Sequence, residues 1–105
     1  MVLKVIWSEF AEKQLDEIFE YYHKNISVNS ARKIAHNILL ETKKLEKNPF
    51  VGQVENLLID RKTKYRYLIY TNYKLIYSVD KPNRVVKIAD VFDTRQNPVK
   101  ITRKK

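Results

Sequence analysis

Apolar and polar positions along this chain follow two periods, and the change from one to the other divides it. Residues 2–7 are rich in valine and isoleucine and predict a short strand. Ser8 follows as a helix N-cap, with Glu9 and Glu12 in a first turn where the helix dipole favours acids. Ala11, Leu15, Ile18, Phe19 and Tyr22 then recur at helical spacing, and Asn25 lies near the stop. Residues 26–29 read as a short connection. A second amphipathic helix is predicted over about 30–47, with Ala31, Ile34, Ala35, Ile38 and Leu45 as its stripe and Leu39 beside it. Lys43, Lys44 and Lys47 crowd its last turn, and Asn48-Pro49 ends it, since the residue before proline leaves helical geometry. So short a link predicts an antiparallel helix hairpin.

Beyond Gly52, the only glycine, the period shortens to two. Residues 54–59, 65–70, 73–79 and 84–92 read as strands. Thr71-Asn72 makes a tight hairpin turn, and residues 80–83 make the next. The last three runs form an antiparallel meander. The fold class is therefore α+β: an N-terminal strand and a two-helix antiparallel hairpin packed on an antiparallel β-sheet. One domain spans residues 1–105, of which 99–105 form a basic tail, loose from 102 onward. Both helices cover one sheet face and leave the other, or part of it, to solvent or a partner. Leu15, Ile18, Tyr22, Ile34, Ile38 and Leu45 are the expected core between hairpin and sheet.

Composition narrows the chemistry. Hydrophobic residues make up 44% of the chain, too many for disorder. The absence of cysteine excludes disulfides and thiolate catalysis, and His23 and His36 alone are a poor basis for zinc, so no metal or cofactor is expected. No apolar run approaches the ~20 residues that span a bilayer, so no membrane partner is expected. The start of the chain is too soon interrupted for a signal peptide, which makes the cytoplasm the expected location. The net charge is +9, and it is segregated. Residues 1–52 carry eight cations against seven acids, whereas residues 53–105 carry thirteen against five. A one-sided basic field favours a polyanionic partner: nucleic acid, an acidic protein or a membrane surface.

Residues 61–74 interleave Arg61, Lys62, Lys64, Arg66 and Lys74 with four tyrosines. Strand alternation puts Tyr65, Tyr67 and Ile69 on one side and Lys64, Arg66, Leu68 and Tyr70 on the other. On the next strand Tyr73, Leu75, Tyr77 and Val79 share a face opposite Lys74, Ile76 and Ser78. The apolar sets are expected to meet the helices, which leaves Lys64, Arg66 and Lys74 on the open face. Cations beside aromatic rings on a sheet can bind RNA through phosphate neutralisation and base stacking. The same composition is also ordinary for strands. His23 and His36 are acid–base candidates by type alone, and surface roles suit their helical positions better. Asp90 and Asp93 lie three apart on a strand, face opposite ways and make no metal pair. No glycine-rich phosphate loop or acyl-transfer elbow is present.

These features together resemble the RelE/ParE superfamily of bacterial type II toxins. The resemblance is carried by Trp7-Ser8, Ala11, Leu15, Ile18, Tyr21-Tyr22, Ala31, Ile38, Leu45, Asn48-Pro49 and Gly52. It continues through Tyr65-Arg66-Tyr67-Leu68-Ile69-Tyr70, Tyr73-Lys74-Leu75-Ile76-Tyr77 and the closing run 85–92, covering about residues 2–98. The long first helix and the Pro-x-x-Gly turn look more like the ParE branch. That resemblance implies a toxin neutralised by a cognate acidic antitoxin, acting by binding a macromolecular target such as DNA gyrase. The alternative it implies is a RelE-like, metal-independent endoribonuclease cutting mRNA in the ribosome. By resemblance, Lys64, Arg66, Lys74 and Arg95 are the counterparts of the RelE basic cluster, and they are the candidate target-binding or phosphate-contacting residues. No tyrosine follows Tyr77, so the C-terminal tyrosine usual in RelE-type toxins is missing. The antitoxin is expected to cover the basic half and the open sheet face with an acidic amphipathic segment that orders on binding.

Overall fold

A computed structural model describes residues 2–103 and 105. The elements are β1 (Lys4–Trp7), α1 (Glu9–Asn25), α2 (Val28–Lys43), β2 (Gln53–Val54), β3 (Arg66–Tyr70), β4 (Tyr73–Asp80) and β5 (Val85–Asp93), with three single-turn 3-10 helices between or after them. The five strands form one sheet in the order β1-β5-β4-β3-β2. The expected antiparallel meander is its centre, but β1 runs parallel to β5, so the sheet is mixed.

Local chemistry sets the helix ends. The Ser8 hydroxyl accepts from the Ala11 N–H at 3.0 Å and starts α1. Ser27, expected in a connection, instead caps α2 by accepting from the Ser30 N–H at 3.0 Å, so this helix begins at Val28. It also ends earlier than expected: Lys44–Glu46 tighten into a 3-10 turn before Asn48-Pro49.

Residues 54–59 do not form the expected strand. Only Gln53–Val54 pair with β3, and Asn56–Leu58 coil into a 3-10 turn whose Leu57 N–H is held by the Glu55 carboxylate at 3.2 Å. Leu57 and Ile59 stay exposed while Leu58 turns inward. An apolar run reads like a strand in sequence, but here a capping acid before it bends it.

Both helices pack on one sheet face. Ile38 and Leu45 are fully buried there, against Leu75, Val91 and Tyr73 for Ile38, and Leu3, Tyr77 and Ile88 for Leu45. Leu15, Ile18, Tyr22 and Ile34 are half-buried around them. The two-residue turn after β3 places Tyr70 opposite Tyr73, Leu68 opposite Leu75 and Arg66 opposite Tyr77. The helix-facing set of β3 is therefore Arg66, Leu68 and Tyr70, the reverse of the assignment from alternation alone. Gly52 meets this face closely. Its N–H donates to the Tyr77 hydroxyl at 2.9 Å, and a Cβ there would lie 2.5 Å from that oxygen.

The other face is not left open. Leu58, Ile76, Phe92 and Ile101 form a second buried cluster on it. A bulge makes this possible: Ile76 pairs with Asp90 and Tyr77 with Ile88, so Ala89 is the extra residue. The bulge keeps Ile88 facing the helices while Asp90 faces away from them. Asp90 is fully buried, and two residues of the expected loose tail hold it. Arg103 reaches it through Nη2 at 2.8 Å and Nε at 3.2 Å, and Lys105 through Nζ at 2.7 Å. The segment Pro98–Thr102 is a 3-10 turn with Ile101 buried, and the Thr102 carbonyl accepts from Arg61. The tail is thus built into the fold. Lys104, part of that expectation, lies outside the described residues.

Two substitutions check this packing. Ile38→Ala is expected to lower unfolding stability by about 2–5 kcal/mol in urea titration, as truncation of a buried aliphatic does. A change within measurement error would place Ile38 outside the core. Arg103→Ala combined with Lys105→Ala should cost about 3–5 kcal/mol, because it strands a buried carboxylate. Adding Asp90→Asn should restore part of that loss. No restoration would mean that Ile101 packing, rather than the charge, holds the segment.

Candidate functional site

The four cations singled out in the sequence come from four places in the fold. Lys64 sits in the exposed loop before β3. Arg66 opens β3 on the helix side, donates to the Gly52 carbonyl at 2.9 Å and lies 5.3 Å from the centroid of the Phe50 ring. Lys74 is on β4 and points to the second face. Its ammonium is 2.7 Å from the buried Glu55 carboxylate and 4.3 Å from the centroid of Tyr67. Arg95 follows β5 and grips Asp93 through Nε at 3.0 Å and Nη2 at 2.8 Å. The expected convergence on one open face is therefore not found: strand register puts Arg66 and Lys74 on opposite faces, and Arg66, Lys74 and Arg95 each have partners within the chain.

Around Arg95 the end of the sheet meets α1. Tyr73, Val91, Asp93 and Arg95 face Ile18 and Tyr21 across a pocket of about 340 Å³. Asp93 also accepts from the Arg95 N–H at 2.9 Å and from the Asn72 amide at 3.1 Å. The Arg95 guanidinium is the main cause that holds the Asp93 carboxyl down at about 2, against an ordinary value of 3.8, although partial burial opposes it. The same pair raises the Arg95 value. Burial, followed by the Tyr22 hydroxyl, pushes the Tyr73 phenol well above its usual range. The Asp93 carboxyl is held ionised, and the Arg95 guanidinium is held against it, at one wall of this pocket.

His23 stacks on Phe19 with ring centroids 6.1 Å apart, and His36 is exposed on α2. Asp90 and Asp93 do face opposite ways, and among the described residues no three His, Cys, Asp or Glu gather to hold a metal. No helix among the described residues is long and apolar enough to cross a membrane.

A second basic region went unnoticed in the sequence because its cations come from separate segments. Lys62 and Lys64 on the loop before β3, Lys81 after β4 and Lys87 on β5 line one cleft of about 650 Å³, with Phe50 and Tyr65 on its walls. Loops and the strands β4 and β5 build it, and no residue of β3 lines it.

A helix hairpin on a mixed five-stranded sheet, with basic and aromatic side chains on its surface, defines a small α+β protein. The chain belongs to the ParE toxin family: the family model described as "ParE toxin of type II toxin-antitoxin system, parDE" matches residues 5–98. It is a ParE-like toxin of a type II toxin–antitoxin system. No curated protein matches the chain significantly. Among solved structures it is similar to the chromosomal ParDE toxin–antitoxin system of P. aeruginosa, with a TM-score of 0.72 and 18% identity over 88% of this chain and 96% of that one. It is also similar to the toxin–antitoxin complex RelBE2 of Mycobacterium tuberculosis, with a TM-score of 0.62 and 17% identity over 89% and 99%. The YoeB dimer of Staphylococcus aureus follows, with a TM-score of 0.51 and 23% identity over 87% and 95%. At these identities the three structures bear on the fold.

The Arg95–Asp93 pair makes a pH prediction. Because the folded Asp93 carboxyl titrates at about 2 and the ordinary group at 3.8, the folded state binds fewer protons between these values. The stabilisation is complete above about pH 4 and is lost as pH falls through about 2. Asp93→Asn should therefore be less stable than the parent at pH 7, and the gap should close on approaching pH 2. A gap that stays constant over that range would remove the ion pair as its cause.

Proposed function

We propose that this toxin arrests growth by binding a macromolecular target in the cytoplasm, DNA gyrase being the target that the ParE resemblance implies, and that a cognate acidic antitoxin neutralises it. The observation that supports binding over RNA cleavage is the dispersal of Lys64, Arg66, Lys74 and Arg95. A metal-independent nuclease must bring cations and an acid–base pair to one phosphate. Here two of the four cations neutralise carboxylates, a third hydrogen-bonds a backbone carbonyl, and two lie on opposite faces. Lys64 and the exposed part of Arg95 are what remain of that set to meet a target. The antitoxin reading is supported by the type II family and by the charge of the second half, which an acidic partner would complement.

Induction in cells, followed over time, tests this reading. DNA breaks are expected before any cut in messenger RNA, and the purified protein should inhibit supercoiling by gyrase. Arg95→Ala should weaken that inhibition in a graded, salt-dependent way, typically by ~1 kcal/mol at a solvated rim. Ribosome-dependent messenger cleavage that collapses in Lys74→Ala would overturn the proposal in favour of an endoribonuclease.

A further inference from the structure

The basic cleft shares only Lys64 with the four cations considered above, and its chemistry has a defined fit. We propose that it binds the sugar-phosphate backbone of a single-stranded nucleic acid, with bases stacking against Phe50 and Tyr65.

Four of the five lysines that line it, Lys62, Lys64, Lys81 and Lys87, differ from the fifth, Lys105. Lys74, Arg95, Arg103 and Lys105 all contact carboxylates, whereas none of Lys62, Lys64, Lys81 and Lys87 has an acid within salt-bridge distance among the described residues. The one carboxylate on the cleft wall, Asp80, is engaged in its own turn. It accepts from the Asn83 N–H at 3.2 Å and from the Asn83 amide at 2.8 Å. Apart from Lys105, whose ammonium is held by Asp90, the wall therefore presents four ammonium groups against one carboxylate. Unpaired like charges held around one concavity repel one another, and an incoming polyanion relieves that repulsion.

The rest of the lining favours phosphate and base over an acidic peptide. Lysine is a strongly hydrated point charge that suits phosphate oxygens, and the Ser78 and Thr63 hydroxyls add donors between the lysines. Phe50 is 47% exposed, and the Lys81 ammonium lies 5.4 Å from its centroid, so a flat apolar face sits beside a phosphate-neutralising charge. An acidic strand would need a sheet edge to extend, and the edge strands β1 and β2 offer only four and two residues. An amphipathic helix would need an apolar groove, and this floor carries Ser78 and Lys87. Bases reach recessed rings only when unstacked, which selects a single strand over a duplex.

The test is fluorescence anisotropy of the full chain with a labelled oligouridylate and a labelled oligothymidylate of equal length, over a range of salt. Four phosphate contacts on a single strand predict a slope of log K against log salt of about −2.8. Lys81→Ala with Lys87→Ala should make that slope shallower by about 1.4 and weaken both oligomers alike. Lys24→Ala with Lys43→Ala removes the same net charge from the helices and should leave the slope in place. Thermal unfolding of each variant separates lost binding from lost fold, since all four side chains are exposed. Equal weakening by the two pairs would reduce the cleft to bulk charge and overturn the proposal. Tighter binding to a blunt duplex, or to polyglutamate, would overturn it in favour of duplex DNA or an acidic protein segment. Gyrase inhibition is read separately: its survival in a cleft variant that no longer binds oligomers would show two surfaces, and its failure in the parent would leave the cleft result standing.

Discussion

A carboxylate buried in the middle of a sheet organises this molecule. Asp90 has no contact with solvent, and a charge in that position is tolerated only where partners replace water. Arg103 and Lys105 are those partners, and to reach them the chain must cross the second face of the sheet. Ile101, carried by the crossing segment, closes the cluster of Leu58, Ile76 and Phe92. The β5 bulge belongs to the same constraint, because without the extra residue Ala89 the carboxylate would face the helices, where Ile38 and Leu75 leave nothing to pair it. One ion cluster thus turns a sheet covered on one side into a sheet covered on both. Removing a single member leaves charge without solvent, so bulge, tail and aspartate are coupled rather than additive.

Gly52 ties the two halves of the chain together in a different way. The loop after α2 must pass close enough for its backbone to donate to the Tyr77 hydroxyl, at 2.9 Å, on the central strand. Any β-carbon at that position would meet this hydroxyl and the Tyr67 carbonyl, at 2.5 and 2.7 Å. Arg66 then donates to the carbonyl of the same glycine. A residue that looks in sequence like a turn breaker is in space the point where the helix hairpin is fastened to β3 and β4.

How much of this was legible follows from the range of the interactions. The Ser8 cap, the two amphipathic helices and the runs of β3, β4 and β5 depend on neighbours within a few residues, and local pattern is enough to find them. Which side of β3 faces the helices depends on register across a turn. A two-residue connection at Thr71-Asn72 makes Tyr70 and Tyr73 partners, and following that rule through would have put Arg66 with Tyr77 and apart from Lys74. The partners of Asp90 and Glu55 lie 13, 15 and 19 residues away along the chain, and nothing in composition announces them. Val99 and Ile101 in a basic stretch were the one sign that the tail had something to bury, and of the two it is Ile101 that is buried.

The segregated charge of the chain acquires a further division once folded, between cations bound within the chain and cations left in solvent. Arg61, Arg66, Arg95 and Arg103 all bind oxygen atoms of the chain itself, and a planar guanidinium with several donors is suited to that work. Lys62, Lys64, Lys81 and Lys87 remain in solvent around a single cleft. These arginines lock the second half together: Arg95 and Arg103 pair with carboxylates, whereas Arg61 and Arg66 hydrogen-bond neutral carbonyls and keep their charge. A partner therefore meets a field made mainly of lysines, mobile on their stems and set around aromatic rings. Counting from the sequence misplaces that field: of the five cations in residues 61–74 only Lys74 pairs with a carboxylate, while Lys81 and Lys87, which lie outside that segment, join Lys62 and Lys64 at the cleft.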